Sequence, residues 1–243
     1  MSLAIGGAIG LSLVASVCWG SADFAGGLAA KRTASCFVVA IAHGSSLILV
    51  LLYAAITKAA LPSTHTLAMG LVGGAAGGLG LISFYGALSL GEMGVSASIA
   101  AVLTATVPVV FSLLTESTPK PAQAVGFVLA GTSVWLIAYT PGREMGAPCV
   151  MLAFISGICF GAQLIFLRLA EHGALWPLAS SRIASAAVAG LLSLAVLVSR
   201  SRPKMPEFGR KNWITAGIAV LAGALDSGEM PFTRQPRLRE GLM

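Results

Sequence analysis

Apolar segments of membrane-spanning length recur along nearly the whole chain. A spanning helix needs about 20 consecutive, mainly apolar residues, and charged or proline-rich breaks separate the segments of this sequence. The predicted spans are residues 4–24, 35–57, 67–90, 94–115, 121–140, 147–169, 178–199 and a short one at 212–226. The pattern predicts an all-α polytopic membrane protein with about eight transmembrane helices.

The composition excludes a domain that folds in water. Hydrophobic residues make up 56% of the chain and charged residues 10%, against about 25% charged residues in soluble domains. The net charge of +6 belongs to short loops and a polar tail, which suits contact with anionic lipid. We therefore expect the lipid bilayer as a partner and no binding of nucleic acid.

The cysteines give no sign of a metal site or a cofactor. Cys18, Cys36, Cys149 and Cys159 form no CxxC pair, and all lie within or beside apolar runs. Cysteines in such positions usually act as small buried hydrophobic residues. We expect neither a metal nor a cofactor.

Glycine is concentrated in the third predicted span. Gly70 and Gly74, Gly73 and Gly77, and Gly74 and Gly78 are each spaced by four residues. Small residues at this spacing let helix backbones approach closely in lipid, so the pattern predicts a helix-packing face. A phosphate-binding loop is excluded because no Lys-Ser or Lys-Thr follows the glycines.

A short unit near the start of the chain returns about 140 residues later. Cys18-Trp19-Gly20 aligns with Cys159-Phe160-Gly161, and one polar residue follows three positions after the aromatic, Asp23 in the first unit and Gln163 in the second. Five predicted spans precede the second unit. Because five is odd, the second unit must insert upside down, and inverted repeats are typical of transporters.

Further motifs carry a family resemblance over residues 1–228. They are Trp19-Gly20-Ser21, Phe84-Tyr85-Gly86-Ala87-Leu88, Pro108-Val109-Val110, Glu116 followed by Gln123-Ala124-Val125-Gly126, Phe160-Gly161, and Leu221 through Gly228. In order and spacing the chain resembles EamA-type exporters of the drug/metabolite transporter superfamily, which have two five-helix repeats. The resemblance implies a multi-pass permease of the cell inner (plasma) membrane that moves small metabolites by alternating access.

The resemblance divides the chain into three parts. Residues 1–140 correspond to a first five-helix repeat and 147–228 to an incomplete second repeat, while 229–243 form a polar tail with three arginines and two prolines. We expect the second repeat to be truncated. A frameshift is the favoured explanation, and a natural short form is the alternative.

Two polar residues of the repeated unit are candidate substrate-binding residues. An ionisable side chain within a span is by default a functional hypothesis, which makes Asp23 a candidate proton, cation or substrate site. The alternative is a charge that reaches the headgroups from the end of a finishing helix. Gln163 is a candidate substrate contact, with an interhelical hydrogen bond as the alternative.

Aromatic residues and one proline complete the predicted site. Trp19 and Phe160 are related by the repeat, so they are candidates to face one cavity, with anchoring at the membrane interface as the alternative. The resemblance places Tyr85 in a cavity-lining span. Pro108 removes a backbone donor in mid-span, and Thr104 is a candidate to satisfy the carbonyl that this frees.

Two further polar residues within spans are given structural roles. We interpret His43 as a hydrogen-bonded packing residue, although histidine can titrate near neutral pH. Arg182 stands a few residues into its span, and we expect its side chain to reach the headgroups. The Lys and Arg count of the loops favours an outside N-terminus, whereas the resemblance implies an inside one.

The sequence thus predicts a metabolite exporter, with amino acids or related compounds among the candidate substrates. The alternative is a degenerate or structural membrane protein without transport, which would homo-oligomerise through its glycine-rich face. An enzyme is not expected, because the sequence shows no HExxH, no Gly-x-Ser-x-Gly and no paired carboxylates within the spans.

Overall fold

Long helices account for almost all of the structure that is described. The computed structural model describes residues 2–91, 93–115, 125–126, 128–129, 131–132, 136, 146–170, 175–199 and 210–227. Within them the long helices are α1 (Ser2–Ala30), α2 (Ser35–Ile56), α3 (Thr64–Leu90), α4 (Met93–Thr115), α5 (Ala147–Leu169), α6 (Leu175–Val198) and α7 (Arg210–Ser227).

Six of these helices, α1 through α6, are long and apolar enough to cross a membrane. The helix α7 contains a shorter apolar stretch, Ile214–Asp226. The chain is therefore a multi-pass membrane protein, as its hydropathy predicts. The predicted fifth span, 121–140, lies mostly outside the described residues, although those described within it are helical. The tail 229–243 also lies outside them.

The first helix continues further than the sequence predicts. Its predicted end is residue 24, but α1 runs on to Ala30, because the small apolar residues after Phe24 continue the helix until the charged pair Lys31-Arg32. Asp23 therefore lies inside a helix rather than at its end.

Local signals define the ends of other helices. The side chain of Ser63 accepts a hydrogen bond of 3.2 Å from the Thr66 amide and caps the start of α3. Pro148 lies in the first turn of α5, where its missing amide donor costs nothing. After α2, Lys58 adopts a positive φ of 48°, a conformation that ends a helix.

The glycine-rich helix α3 is the centre of the bundle. A Cβ at Gly74 would overlap the backbone of Ser181 on α6, and one at Gly77 would overlap the Gln163 side chain on α5. Gly70 and Gly78 also face α6. The predicted helix-packing face is confirmed, and it serves two neighbouring helices of the same chain.

Other glycines allow further pairs of helices to pack closely. A Cβ at Gly157 or Gly161 of α5 would collide with α4, at Leu103 and at Val107. On α7, a Cβ at Gly223 would overlap the carbonyl of Ala42 on α2. Small residues let helix backbones approach closely and pack in lipid, so these contacts define which helices are neighbours.

The resulting arrangement has a regular pattern of neighbours. The helix α3 packs against α5 and α6, while α7 packs against α1 and α2. The helices α2 and α6 also pack against each other, and α4 packs on α5. This arrangement brings polar side chains of α1, α2, α6 and α7 into one region of the bundle.

Candidate functional site: a buried charge cluster

An arginine on α6 forms an ion pair inside the bundle. Arg182 is only 6% exposed, and its Nη2 lies 2.6 Å from Oδ2 of Asp226 on α7. The expectation that Arg182 reaches the headgroups is therefore wrong. The side chain turns inward because a carboxylate on the neighbouring helix offsets much of the cost of its charge in the bundle.

The ion pair continues into a histidine on α2. His43 is 3% exposed, and its Nε2 lies 2.9 Å from Nη1 of Arg182. A guanidinium has no acceptor, so Arg182 donates and Nε2 accepts. The proton of the neutral ring is then on Nδ1, which donates to the hydroxyl of Ser185. His43 is a hydrogen-bonded packing residue, as the sequence indicates, and it also belongs to a charge cluster.

A second carboxyl group lies on the helix that packs against α7. Asp23 of α1 is half-buried, and its neighbour Ala22 belongs to an apolar cluster against which Leu225, the residue before Asp226, also packs. The packing of α7 on α1 brings together residues from opposite ends of the chain. Within the described part of the chain, Asp23 makes no hydrogen bond or ion pair.

Tyr85 of α3 packs against α1. It is 2% exposed, and its ring covers Gly26, where a Cβ would overlap the ring and its hydroxyl. Gly26 is one helical turn from Asp23 and therefore on the same face of α1. We call Asp23, His43, Tyr85, Arg182 and Asp226 the charge cluster.

An aromatic contact links the charge cluster to α5. The ring centroids of Phe84 and Tyr85 are 6.2 Å apart, and Phe84 meets Phe160 edge to face at 5.8 Å. Phe160 therefore lies inside the bundle. Trp19 is 47% exposed and sits one helical turn before Asp23, so the two aromatics of the repeated unit have unlike surroundings.

Gln163 borders the charge cluster from α5. Its Nε2 donates a hydrogen bond of 3.2 Å to the hydroxyl of Ser181, the residue before Arg182, and its amide lies against Gly77. The interhelical hydrogen bond considered for Gln163 is thus present. The lack of a side chain at position 77 leaves the room that this amide occupies.

The remaining predicted site residues lie on α4. The hydroxyl of Thr104 donates to the carbonyl of Ala100 at 2.8 Å, one turn back, so it does not satisfy the carbonyl that Pro108 frees. Pro108 is half-buried within the continuous helix α4. Neither residue hydrogen-bonds to the charge cluster.

The sequence identified the ionisable residues of this cluster, but their spacing along the chain did not show which of them pair. Four ionisable residues that interrupt or end apolar spans lie on helices that pack together, namely Asp23, His43, Arg182 and Asp226. Arg168, at the end of α5, is instead exposed and donates to Ser112. An ionisable residue in a span usually faces the bundle interior and has a partner. The sequence did not indicate which partner, because that depends on how the helices pack.

Comparisons with protein-family models, with curated proteins and with solved structures found no match. The resemblance to the EamA-type exporters therefore rests on the sequence motifs alone.

Proposed function

We propose that this chain belongs to a membrane carrier of small polar metabolites that works by alternating access. The observation that carries the proposal is the charge cluster, whose five residues come from five helices of an apolar bundle. Charges at such a position are costly, with about 2.5–3.5 kcal/mol for each on insertion scales.

The pattern of helix contacts supports an inverted repeat. In the proposed repeat, α1 corresponds to α5, α2 to α6 and α3 to α7. The contacts of α3 with α5 and α6 then correspond to contacts of α7 with α1 and α2, and both sets of contacts are present. Both contacts use a glycine, since Gly74 approaches the backbone of α6 and Gly223 approaches that of α2. Such an exchange is expected when two repeats are related by a two-fold axis in the membrane plane.

The charge cluster lies where the two proposed repeats meet. Asp23, His43 and Tyr85 belong to the first repeat, whereas Arg182 and Asp226 belong to the second. In this proposal the bond between His43 and Arg182 crosses the boundary that opens and closes as the repeats rock. Transporters of this type bind substrate at such an interface.

The unsatisfied groups of the cluster suggest what the site binds. The Nε of Arg182 is buried and has no hydrogen-bond partner within the described residues, and Asp23 likewise offers an unpaired acceptor. A substrate with an anionic and a cationic group, such as an amino acid or a related compound, fits both. Tyr85 and Gln163 then border the substrate, while Phe160 and Trp19 contribute aromatic surface.

The test is flux into proteoliposomes that contain the purified chain. We expect uptake of labelled amino acids above that of empty liposomes, and loss of proton-coupled uptake in Asp23→Asn. Ser21→Ala, at an exposed position of the same helix, is the matched control and should retain the uptake. If no member of a panel of labelled amino acids and other small metabolites enters, the proposal of a carrier fails.

The alternative of a structural protein that oligomerises through its glycine-rich face receives less support. That face is occupied by α5 and α6 of the same chain. The described structure therefore leaves it no room for a second copy.

A further inference from the structure

The three nitrogens of the Arg182 guanidinium have different surroundings. Nη1 donates to Nε2 of His43 at 2.9 Å, and Nη2 lies 2.6 Å from Oδ2 of Asp226. Nε is buried and has no hydrogen-bond partner within the described residues. Nε and Nη2 form one edge of the guanidinium, which a carboxylate can engage with both of its oxygens. Asp226 therefore occupies one corner of this edge and leaves the other corner without an acceptor.

The guanidinium is held in place more firmly than its carboxylate partner. Arg182 donates to His43, and Nδ1 of that ring donates to the hydroxyl of Ser185, one turn further along α6. These three side chains form a closed chain of hydrogen bonds between α2 and α6. The side chain of Asp226 is 23% exposed, against 7% for that of Arg182. Asp226 is therefore the member of the ion pair that can leave.

We propose that a zwitterionic substrate inserts into this ion pair. Its carboxylate displaces Asp226 from Arg182, and its ammonium group pairs with the displaced Asp226. The vacated position has held a carboxylate, so its polarity suits the carboxylate of the substrate. Two oxygens of the incoming group can accept from Nε and Nη2 together, which satisfies the buried Nε. This inference rests on the proposed carrier function, to which it adds the residue that the substrate displaces.

The balance of charge selects a zwitterion over a simple ion. Insertion of a zwitterion exchanges one ion pair for two and leaves the total charge of the bundle unchanged. A monoanion at the same position releases Asp226 without a counter-ion, and an uncompensated charge within a membrane is costly. A monocation that pairs with Asp226 leaves Arg182 uncompensated at the same cost. The three donors of an ammonium group allow Asp226 to share it with Asp23, the acceptor proposed above.

The first test is the charge selectivity of binding. A panel of radiolabelled L-amino acids is titrated onto the purified chain in lipid nanodiscs, and the tightest ligand is compared with its N-acetyl derivative and its amide. The N-acetyl derivative keeps only the negative charge, and the amide keeps only the positive one. We expect each derivative to bind at least about tenfold more weakly than the amino acid, because each lacks one charge-assisted hydrogen bond.

Asp226→Asn should change this selectivity in a defined direction. The variant removes the carboxylate that the substrate displaces, so a lone carboxylate can neutralise Arg182 without releasing a charge. We expect the N-acetyl derivative to bind at least about tenfold more tightly than it does to the wild type. Binding of the amide should be lost. Arg168→Gln, at an exposed arginine, is the matched control and should keep the wild-type selectivity.

Displacement of Asp226 can also be observed directly in the wild-type protein. Asp23 and Asp226 are the two aspartates of the chain, and Asp23 makes no ion pair within the described residues. Protein labelled with ¹³C at the aspartate carboxyls and with ¹⁵N in the arginine guanidinium groups should show the contact of Asp226 with Arg182 by solid-state NMR in lipid bilayers. A saturating amino acid should abolish this contact, and a carboxyl-labelled amino acid should show a contact with arginine in its place.

Four outcomes would overturn the proposal. They are equal affinity of the wild type for the amino acid and either derivative, a contact of Arg182 with Asp226 that persists at saturation, unchanged selectivity in folded Asp226→Asn, and no binding of any amino acid in the panel. The wild-type measurements decide even if the variant fails to fold. Zwitterion-selective binding without flux contradicts only the carrier, and flux confined to metabolites that are not zwitterions contradicts only this inference.

Discussion

Arg182 and Asp226 form an ion pair across α6 and α7, with Nη2 of the arginine 2.6 Å from Oδ2 of the aspartate. Arg182 is only 6% exposed, whereas the side chain of Asp226 is 23% exposed. Removing one partner of a buried pair leaves the other charge uncompensated, which typically costs about 3–5 kcal/mol. Replacing one member of this pair should therefore lower the stability of the bundle more than replacing both members together.

Arg182→Gln is expected to lower the free energy of unfolding, measured by denaturant titration in mixed micelles. The loss should be smaller than the value of about 3–5 kcal/mol for a fully buried pair, because the side chain of Asp226 is 23% exposed. Arg168→Gln is the matched control, because Arg168 is exposed and its Nη1 donates to the hydroxyl of Ser112 at 3.1 Å. Exposed polar contacts of this kind contribute about 1 kcal/mol or less. The double variant Arg182→Gln/Asp226→Asn should recover part of the loss, and equal losses for the two arginines would contradict the pair.

Gly74→Ala is expected to destabilise the bundle, because a methyl group at this position meets the backbone of Ser181, which cannot rotate away. Overpacking of this kind typically costs about 1–3 kcal/mol. Gly190→Ala introduces the same group in α6, where nothing lies within 4 Å, and should be neutral or stabilising by about 0.5–1 kcal/mol from helix propensity. Folded yield in detergent and thermal unfolding provide the measurements. Equal behaviour of the two variants would refute the close approach of α3 and α6.

The helices themselves were largely predictable from the sequence. The predicted spans 35–57 and 147–169 match α2 and α5 to within a residue, because apolar length and charged breaks set these bounds locally. The glycine spacing in α3 likewise indicated a packing face, since close approach is a property of the small residues themselves.

The site was less predictable, because it depends on how helices face one another. Nothing near Arg182 in the sequence indicates that its partner is Asp226 on the next helix, or that His43, 139 residues away, accepts its hydrogen bond. The apolar surface around each helix offers no strong periodicity, since lipid and bundle interior are both apolar. Asp23 was a candidate because it is ionisable, but its neighbours emerge only from the packing of α1 on α7.

The hydrogen bond between Gln163 and Ser181 should couple α5 to α6 by a modest amount. A double-mutant cycle with Gln163→Ala and Ser181→Ala is expected to give a coupling energy of about 0.6 kcal/mol and no more than about 1.7 kcal/mol, the range found between membrane helices. Ser193→Ala is the control partner, because Ser193 donates within its own helix to the carbonyl of Ala189. Coupling to Ser193 as large as that to Ser181 would show that the effect is not this bond.

The hydrogen bonds of His43 predict a single neutral tautomer with its proton on Nδ1. Arg182 donates to Nε2 at 2.9 Å, and a guanidinium has no lone pair with which to accept a proton. Nitrogen-15 NMR of histidine-labelled protein distinguishes the two tautomers and the imidazolium, and His43→Gln assigns the signal among the three histidines of the chain. Ser185→Ala removes the acceptor for Nδ1 and should shift that nitrogen while leaving His65 unchanged. An imidazolium at position 43, or a proton on Nε2, would mean that Arg182 does not donate to this ring and that the charge of the cluster is other than the structure implies.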